Sequence, residues 1–185
     1  MVVVGNVVAT ASDEGMVAGL DPTSGSVLWS LPVPRGEVSV WALGKVGDHT
    51  VLAMDEDGFV TAIDAASGTM RWSKDLTAGY YDPPIEVGGV LAVGVEGGEV
   101  AFVDPATGEE VRDRLTGPAI SMQAAPGGAE ALVAIGIDVV QSVDLDGEVL
   151  WSTPTPFSAS ELVVAEGAVV VTDLEGEMAT FLLEE

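Results

Sequence analysis

The sequence predicts an all-β chain of stacked, repeated four-stranded antiparallel sheets, and three observations predict it. A turn of the form Asp-x-x-Ser/Thr-Gly recurs as "DPTSGSVLW" (21–29), "DAASGTMRW" (64–72), "DPATGEEVR" (104–112) and, one residue shorter, "DLDGEVLW" (144–151). The turn aspartates Asp21, Asp64, Asp104 and Asp144 lie 43, 40 and 40 residues apart, a period that marks a repeat architecture. Between the turns, apolar residues such as Val51, Ala53, Val60 and Ala62 alternate at period two, the signature of strands, and no stretch carries a capped helical period.

The elements follow in order from residues 49–75, where one unit is clearest. "HTVLAMDED", Gly58, "FVTAIDAASG" and "TMRWSKDL" read as three strands, and "EVSVWALGK" (37–45) before them adds a fourth. Six residues before each turn aspartate stands a second turn position, Gly15, Gly58, Gly98 or Asp138, and Gly176 opens "GEMATFLLEE" in the same frame. In the repeated turn the Asp carboxylate accepts backbone N–H groups two or three residues on, and Ser or Thr adds a weaker local bond. The glycines, Gly25, Gly68, Gly108 and Gly147, take the left-handed conformation that closes the hairpin. Four residues past them stand Trp29, Trp72, Arg112 and Trp151; the three tryptophans are suited to covering the seam between neighbouring sheets. A single sheet leaves two apolar faces bare, and stacking buries each against the next copy.

These residues resemble the PQQ-type, or quinoprotein-like, β-propeller repeat, with its A-x-D-x-x-(S/T)-G-x-x-x-W core. "AIDAASGTMRW" (62–72) matches throughout, "GLDPTSGSVLW" differs at Gly19, and "FVDPATGEEVR" has Arg112 for Trp. The resemblance implies one propeller or propeller segment with approximate units 1–31, 37–76, 83–115, 119–153 and 158–185, about four to five blades. Unit one reads as a strand Val2–Ala11 with little or no inner strand before it, and the last unit lacks its outermost strand, so the chain begins and ends mid-blade. Unpaired edges recruit other strands. A small closed ring, completion by a second copy and a piece of a longer propeller are the three outcomes this leaves open.

Composition excludes several functions. Thirty Asp and Glu against six Lys and Arg give a formal charge of −24, where small domains usually carry a magnitude of about 2–8. Nucleic acid is not an expected ligand, since binding it needs Lys and Arg to neutralise phosphates. Acids spread along the whole chain read as a coat that keeps the protein soluble in concentrated salt. The absence of Cys rules out disulfides and zinc–thiolate sites, and His49, the single histidine, reads as a turn residue. No apolar run reaches the ~18–20 residues of a membrane span. The start has neither a basic n-region nor a cleavage site, which leaves the compartment unknown.

Two sets of loops are candidates for function. "SDEG" (12–15), "DEDG" (55–58) and "TDLEG" (172–176) join second to third strands and so line one rim. "DEDG" and "DLDGE" contain pieces of a calcium loop without its ligand series, so no metal is expected. The connections "LPVPRGE" (31–37), "LTAGYYDPP" (76–84) and "STPTPFSAS" (152–160) emerge on the same rim, and Arg35, Tyr80, Tyr81, Asp82 and Phe157 are its interaction candidates. Trp41, on an inner strand, reads as packing. The leading expectation is a non-catalytic scaffold that binds protein partners or itself through this rim, with no cofactor. Two alternatives stand beside it: a fragment of a quinoprotein dehydrogenase, which the family implies, and a truncated or engineered propeller segment that self-assembles.

Overall fold

The computed structural model describes residues 1–79, 83–96, 99–116, 121–125, 131–135, 138–165 and 167–182, with 115–116 and 131–135 by backbone alone. The described residues form five antiparallel sheets without a helix, and none offers a helix able to cross a membrane. Sheet one contains β1 (Val2–Val4), β2 (Val7–Ala11), β3 (Met16–Leu20) and β4 (Val27–Pro32). Sheet two contains β5 (Val40–Val46), β6 (Thr50–Asp55), β7 (Phe59–Asp64) and β8 (Met70–Asp75). Sheet three contains β9 (Ile85–Val87), β10 (Val90–Val95), β11 (Glu99–Val103) and β12 (Leu115–Thr116). Sheet four contains β13 (Ser121–Ala124), β14 (Ala131–Ile135), β15 (Val139–Asp144) and β16 (Val149–Pro154). Sheet five contains β17 (Glu161–Ala165), β18 (Ala168–Thr172) and β19 (Met178–Leu182).

Within each sheet the strands pair in chain order, a meander, and the inner strands of successive sheets touch: β1 with β5, β5 with β9, β9 with β13, β13 with β17. No extended contact joins the first sheet to the last among the described residues, so the propeller is open. Unit one differs from its sequence reading. Gly5, with φ of 56°, and Asn6 turn the valine-rich opening back on itself, so Val2–Val4 form a short inner strand paired with β2. A uniformly apolar run hid that turn.

The repeated turn is built as its residue types require. Asp21 Oδ1 accepts N–H bonds from Thr23 (2.9 Å) and Ser24 (2.7 Å), and Asp104 Oδ1 accepts them from Ala106 (2.7 Å) and Thr107 (3.1 Å). Asp64 accepts Ser67 N–H at 3.0 Å, and Asp144, in the shorter turn, accepts those of Asp146 and Glu148 at 2.9 Å. Gly25, Gly68 and Gly108 have φ of 70°, 71° and 72°, a region where a Cβ is strained.

The core lies in the seams. Val4, Val7, Ala9, Val17 and Trp29 of sheet one pack against Val51, Ala53 and Ile63 of sheet two. The opposite face of sheet two, with Leu52, Met54, Val60, Ala62 and Trp72, packs on Leu91, Val93 and Val103 of sheet three. Each indole lands on the next sheet's turn. Trp29 donates its Nε1–H to the Ala65 carbonyl at 2.8 Å, and Trp72 donates to Pro105 at 3.0 Å. A Cβ on Gly68 or Gly108 would stand 2.6 Å from those rings, so only glycine leaves room for them. Arg112 occupies the equivalent place in unit three and bonds Asp146 in the turn of unit four at 3.1 Å. Trp151 is half-buried against the cluster of Leu162, Val169 and Val171.

Candidate functional site

The rim is assembled by hydrogen bonds between the second-to-third-strand turns and the connections between sheets. Val33 N–H bonds the Gly15 carbonyl (2.8 Å), Leu76 and Ala78 N–H bond that of Gly58 (3.2 and 3.1 Å), and Thr155 N–H bonds that of Asp138 (2.9 Å). Asp138 therefore does fill the glycine's place in unit four. The approach is close enough that a Cβ on Gly15 would lie 2.1 Å from the Gly36 oxygen, and one on Gly58 2.8 Å from the Ala78 nitrogen. Connection and turn thus form one layer, held by backbone.

The first acid or hydroxyl of each turn is structural. Ser12 Oγ accepts Glu14 and Met16 N–H, Asp55 Oδ1 accepts Asp57 (3.1 Å) and Phe59 (3.0 Å), and Asp173 Oδ1 accepts Glu175 (2.9 Å) and Glu177 (2.8 Å). Asp55 is 4% exposed, and burial raises its pKa against the opposing pull of those two N–H bonds. Beside the exposed Glu56 and Asp57, this carboxylate serves the backbone. A cap three residues before Gly15, Gly58 and Gly176 is the signal that identifies the role.

The next positions face outward. Glu56, Asp57, Gly58, Thr77, Ala78 and Glu96 line a cleft of about 220 Å³ between the second turn and the end of β10. Thr77 has φ of 51°, a left-handed backbone that is an outlier for a β-branched residue, and its carbonyl accepts Glu96 N–H at 2.9 Å. Arg35 stands beside the cleft, its Nε 3.4 Å from Asp57 and its guanidinium 4.8 Å above the Phe59 ring. Among the predicted rim residues, Arg35 is thereby tied to the second acidic turn. Phe157 is half-buried against the fourth core cluster, away from Arg35's neighbours, and Tyr80, Tyr81 and Asp82 lie outside the described residues.

Two exposed apolar residues on the rim were missed by the sequence reading. Trp41, expected to pack, is 52% exposed because β5 bulges between Val40 and Ala42 and carries it off the alternating face. Leu174, at the tip of the "TDLEG" turn, is 92% exposed.

A second, more open hollow of about 530 Å³ lies along the inner strands, bordered by Val2, Leu43, Lys45, Asp48, Pro84 and Glu86. Quinone and calcium, which the enzymatic branch of the repeat family holds near its axis, need convergent cations and carboxylates. Lys45 is the sole cation bordering this hollow, and no three His, Asp or Glu converge as metal ligands among the described residues. The donor set there does not fit the pair.

Sheets of this strand order, stacked face to face around short inner strands, define a β-propeller. Residues 1–112 match the family model described as outer membrane protein assembly factor BamB, and the chain belongs to that family of PQQ-type repeats. No curated protein matches it at a significant level. Among solved structures, BamB from Moraxella catarrhalis aligns with a TM-score of 0.73 at 16% identity, over 97% of this chain and 59% of that one. The computationally designed Ika8 protein aligns at 0.75 and 19%, over 96% and 56%; BBS1N in complex with ARL6DN aligns at 0.79 and 13%, over 100% and 64%. At such identities the likeness shows the fold alone, and the chain spans about three-fifths of these neighbours' length.

Proposed function

We propose that this chain is a non-catalytic propeller module that binds a protein partner through the rim formed by the second-to-third-strand turns and the connections between sheets. The observation that carries this reading is the placement of Trp41 and Leu174, with Arg35 over Phe59, among outward carboxylates on a layer otherwise fixed by backbone hydrogen bonds. Rigid aromatic and arginine side chains within a polar surround are the usual anchors of protein interfaces. Structural neighbours support it: one is an assembly factor, and another is seen in complex with ARL6DN. The acid coat is part of the same reading, a surface adapted to concentrated salt.

Cross-linking of the chain to its partner in the source cells tests the site. Cross-links should fall on residues of the 12–15, 33–39, 55–58 and 172–176 segments, and Trp41→Ser with Leu174→Ser should abolish them while leaving the circular dichroism spectrum intact. Cross-links confined to the opposite rim would refute it. Titration with the quinone and Ca²⁺ should leave the absorbance spectrum additive, whereas a stoichiometric complex would install the dehydrogenase reading instead.

A further inference from the structure

The internal seams show what covers each side of a sheet. In sheet two, Val51, Ala53 and Ile63 lie under the preceding sheet, and Leu52, Met54, Val60 and Ala62 lie under the following one. With units aligned on Gly15 and Gly58, the residues of sheet one that correspond to the preceding side are Val8, Thr10 and Leu20. The register puts Val3 and Val27 on the same face, and these are 56% and 63% exposed. In sheet five the following side carries Val163, Val170, Met178 and Leu182; Val163, Met178 and Leu182 are 57%, 68% and 81% exposed. The first sheet thus presents a preceding-side face and the fifth a following-side face, and among the described residues nothing covers either.

The bare turn of sheet one is already in its covered shape. Gly25 has the φ of Gly68 and Gly108, and Gly25, Gly68 and Gly108 each donate N–H to their turn aspartate's carbonyl at 2.8 Å. Yet nothing lies within 4 Å of the position a Gly25 Cβ would take, where the other two meet an indole.

We propose that the two end faces are the halves of one seam, closed between copies of this chain head to tail: sheet five of one copy covers sheet one of the next. The faces continue an interface the chain already makes internally, and each offers the side the other lacks. Their chemistry selects the same occupant. In a chain of formal charge −24, the strand positions of the sheet-one face hold no charged residue and those of the sheet-five face hold only Glu161. A basic partner finds nothing to pair with there, whereas apolar strands of the same pleat do. Pairing like faces would set two preceding sides together, a contact no internal seam uses. The seam is heterologous, so it closes a ring if the rotation allows and otherwise extends. Repulsion between acidic copies opposes it until salt screens them. This surface is separate from the rim, and either proposal stands or falls alone.

Light scattering and sedimentation of the full chain at low and molar salt test it. The mass should rise from one chain to multiples as salt and protein concentration increase. Val3→Asp and Val163→Asp should each stay monomeric alone, yet their mixture should give a complex of twice the chain mass and nothing larger, since one intact face remains on each. Val27→Asp with Leu182→Asp repeats the design should either first variant lose its circular dichroism spectrum. A monomeric wild type at every salt and concentration overturns the proposal. So does association that persists in either single variant, which would mean like faces pair or the contact lies elsewhere.

Discussion

The seams between sheets one and two and between sheets two and three are closed by an indole, whereas the seam between sheets three and four is closed by a guanidinium at the same place in the repeat. Trp29 and Trp72 are 9% and 7% exposed, each lies over a glycine and each donates to the turn carbonyl beside it. Arg112 reaches its turn as one half of an ion pair with Asp146, their side chains 38% and 83% exposed. Around Arg112 the outer strand also lapses among the described residues: β12 spans Leu115–Thr116, with an isolated bridge at Glu110. At the second seam the indole has help from Lys74, which pairs with Glu109 across the same turn. The turn supplies a receptor of fixed shape, and the residue that lands on it sets how far that seam resists water and salt.

The comparison breaks most sharply at Trp72. Trp72→Ala removes a buried ring and its hydrogen bond, and denaturant unfolding should show a loss of about 3–5 kcal/mol. Next come the glycines under the rings. Gly68→Ala should cost the ~1–2 kcal/mol of a left-handed alanine plus ~1–3 kcal/mol of crowding against Trp29, whereas Gly25→Ala, which meets nothing, should cost only the first part. Equal losses at the two sites would show that the turn conformation alone, and not the docked indole, demands glycine. Arg112→Ala should lose less than ~1 kcal/mol at low salt and nothing measurable at molar salt, even as screening of the acid coat raises the melting temperature of both proteins. A loss that survives molar salt would make Arg112 a packing element like the tryptophans.

The smallest effect is at Asp64, whose pKa is held down at about 2, chiefly by the hydrogen bond from Arg71 and then by Ser67. A lowered acid adds stability above the ordinary carboxylate pKa of ~3.9, and that contribution fades as pH falls through about 2. Unfolding followed between pH 5 and 2 should therefore steepen less in Asp64→Asn than in the wild type, and identical slopes would show that Arg71 leaves this turn unaffected.

The turns and the docking tryptophans were legible because their chemistry is local: Asp, Ser or Thr and Gly at fixed offsets dictate one loop, and a period near 40 residues places its partner. The inner strand β1 was not, since Val2–Ala11 is apolar on both sides of a two-residue turn and periodicity has nothing to contrast there. Trp41 escaped because a bulge moves one residue across the sheet without changing the composition around it. Asp55 escaped for a different reason: in "DEDG" nothing in the composition separates the one buried carboxylate from its exposed neighbours Glu56 and Asp57. On the rim, sequence names the loops, but which side chains stand out from them depends on how turn and connection stack, a contact between segments some twenty residues apart.

β6 is buried at all six positions, from Thr50 to Asp55, because both of its faces lie within seams. Its amides open to solvent only when two interfaces part together. They should be the slowest in the chain to exchange with deuterium, and unit two the place where folding begins and from which it spreads outward to either end.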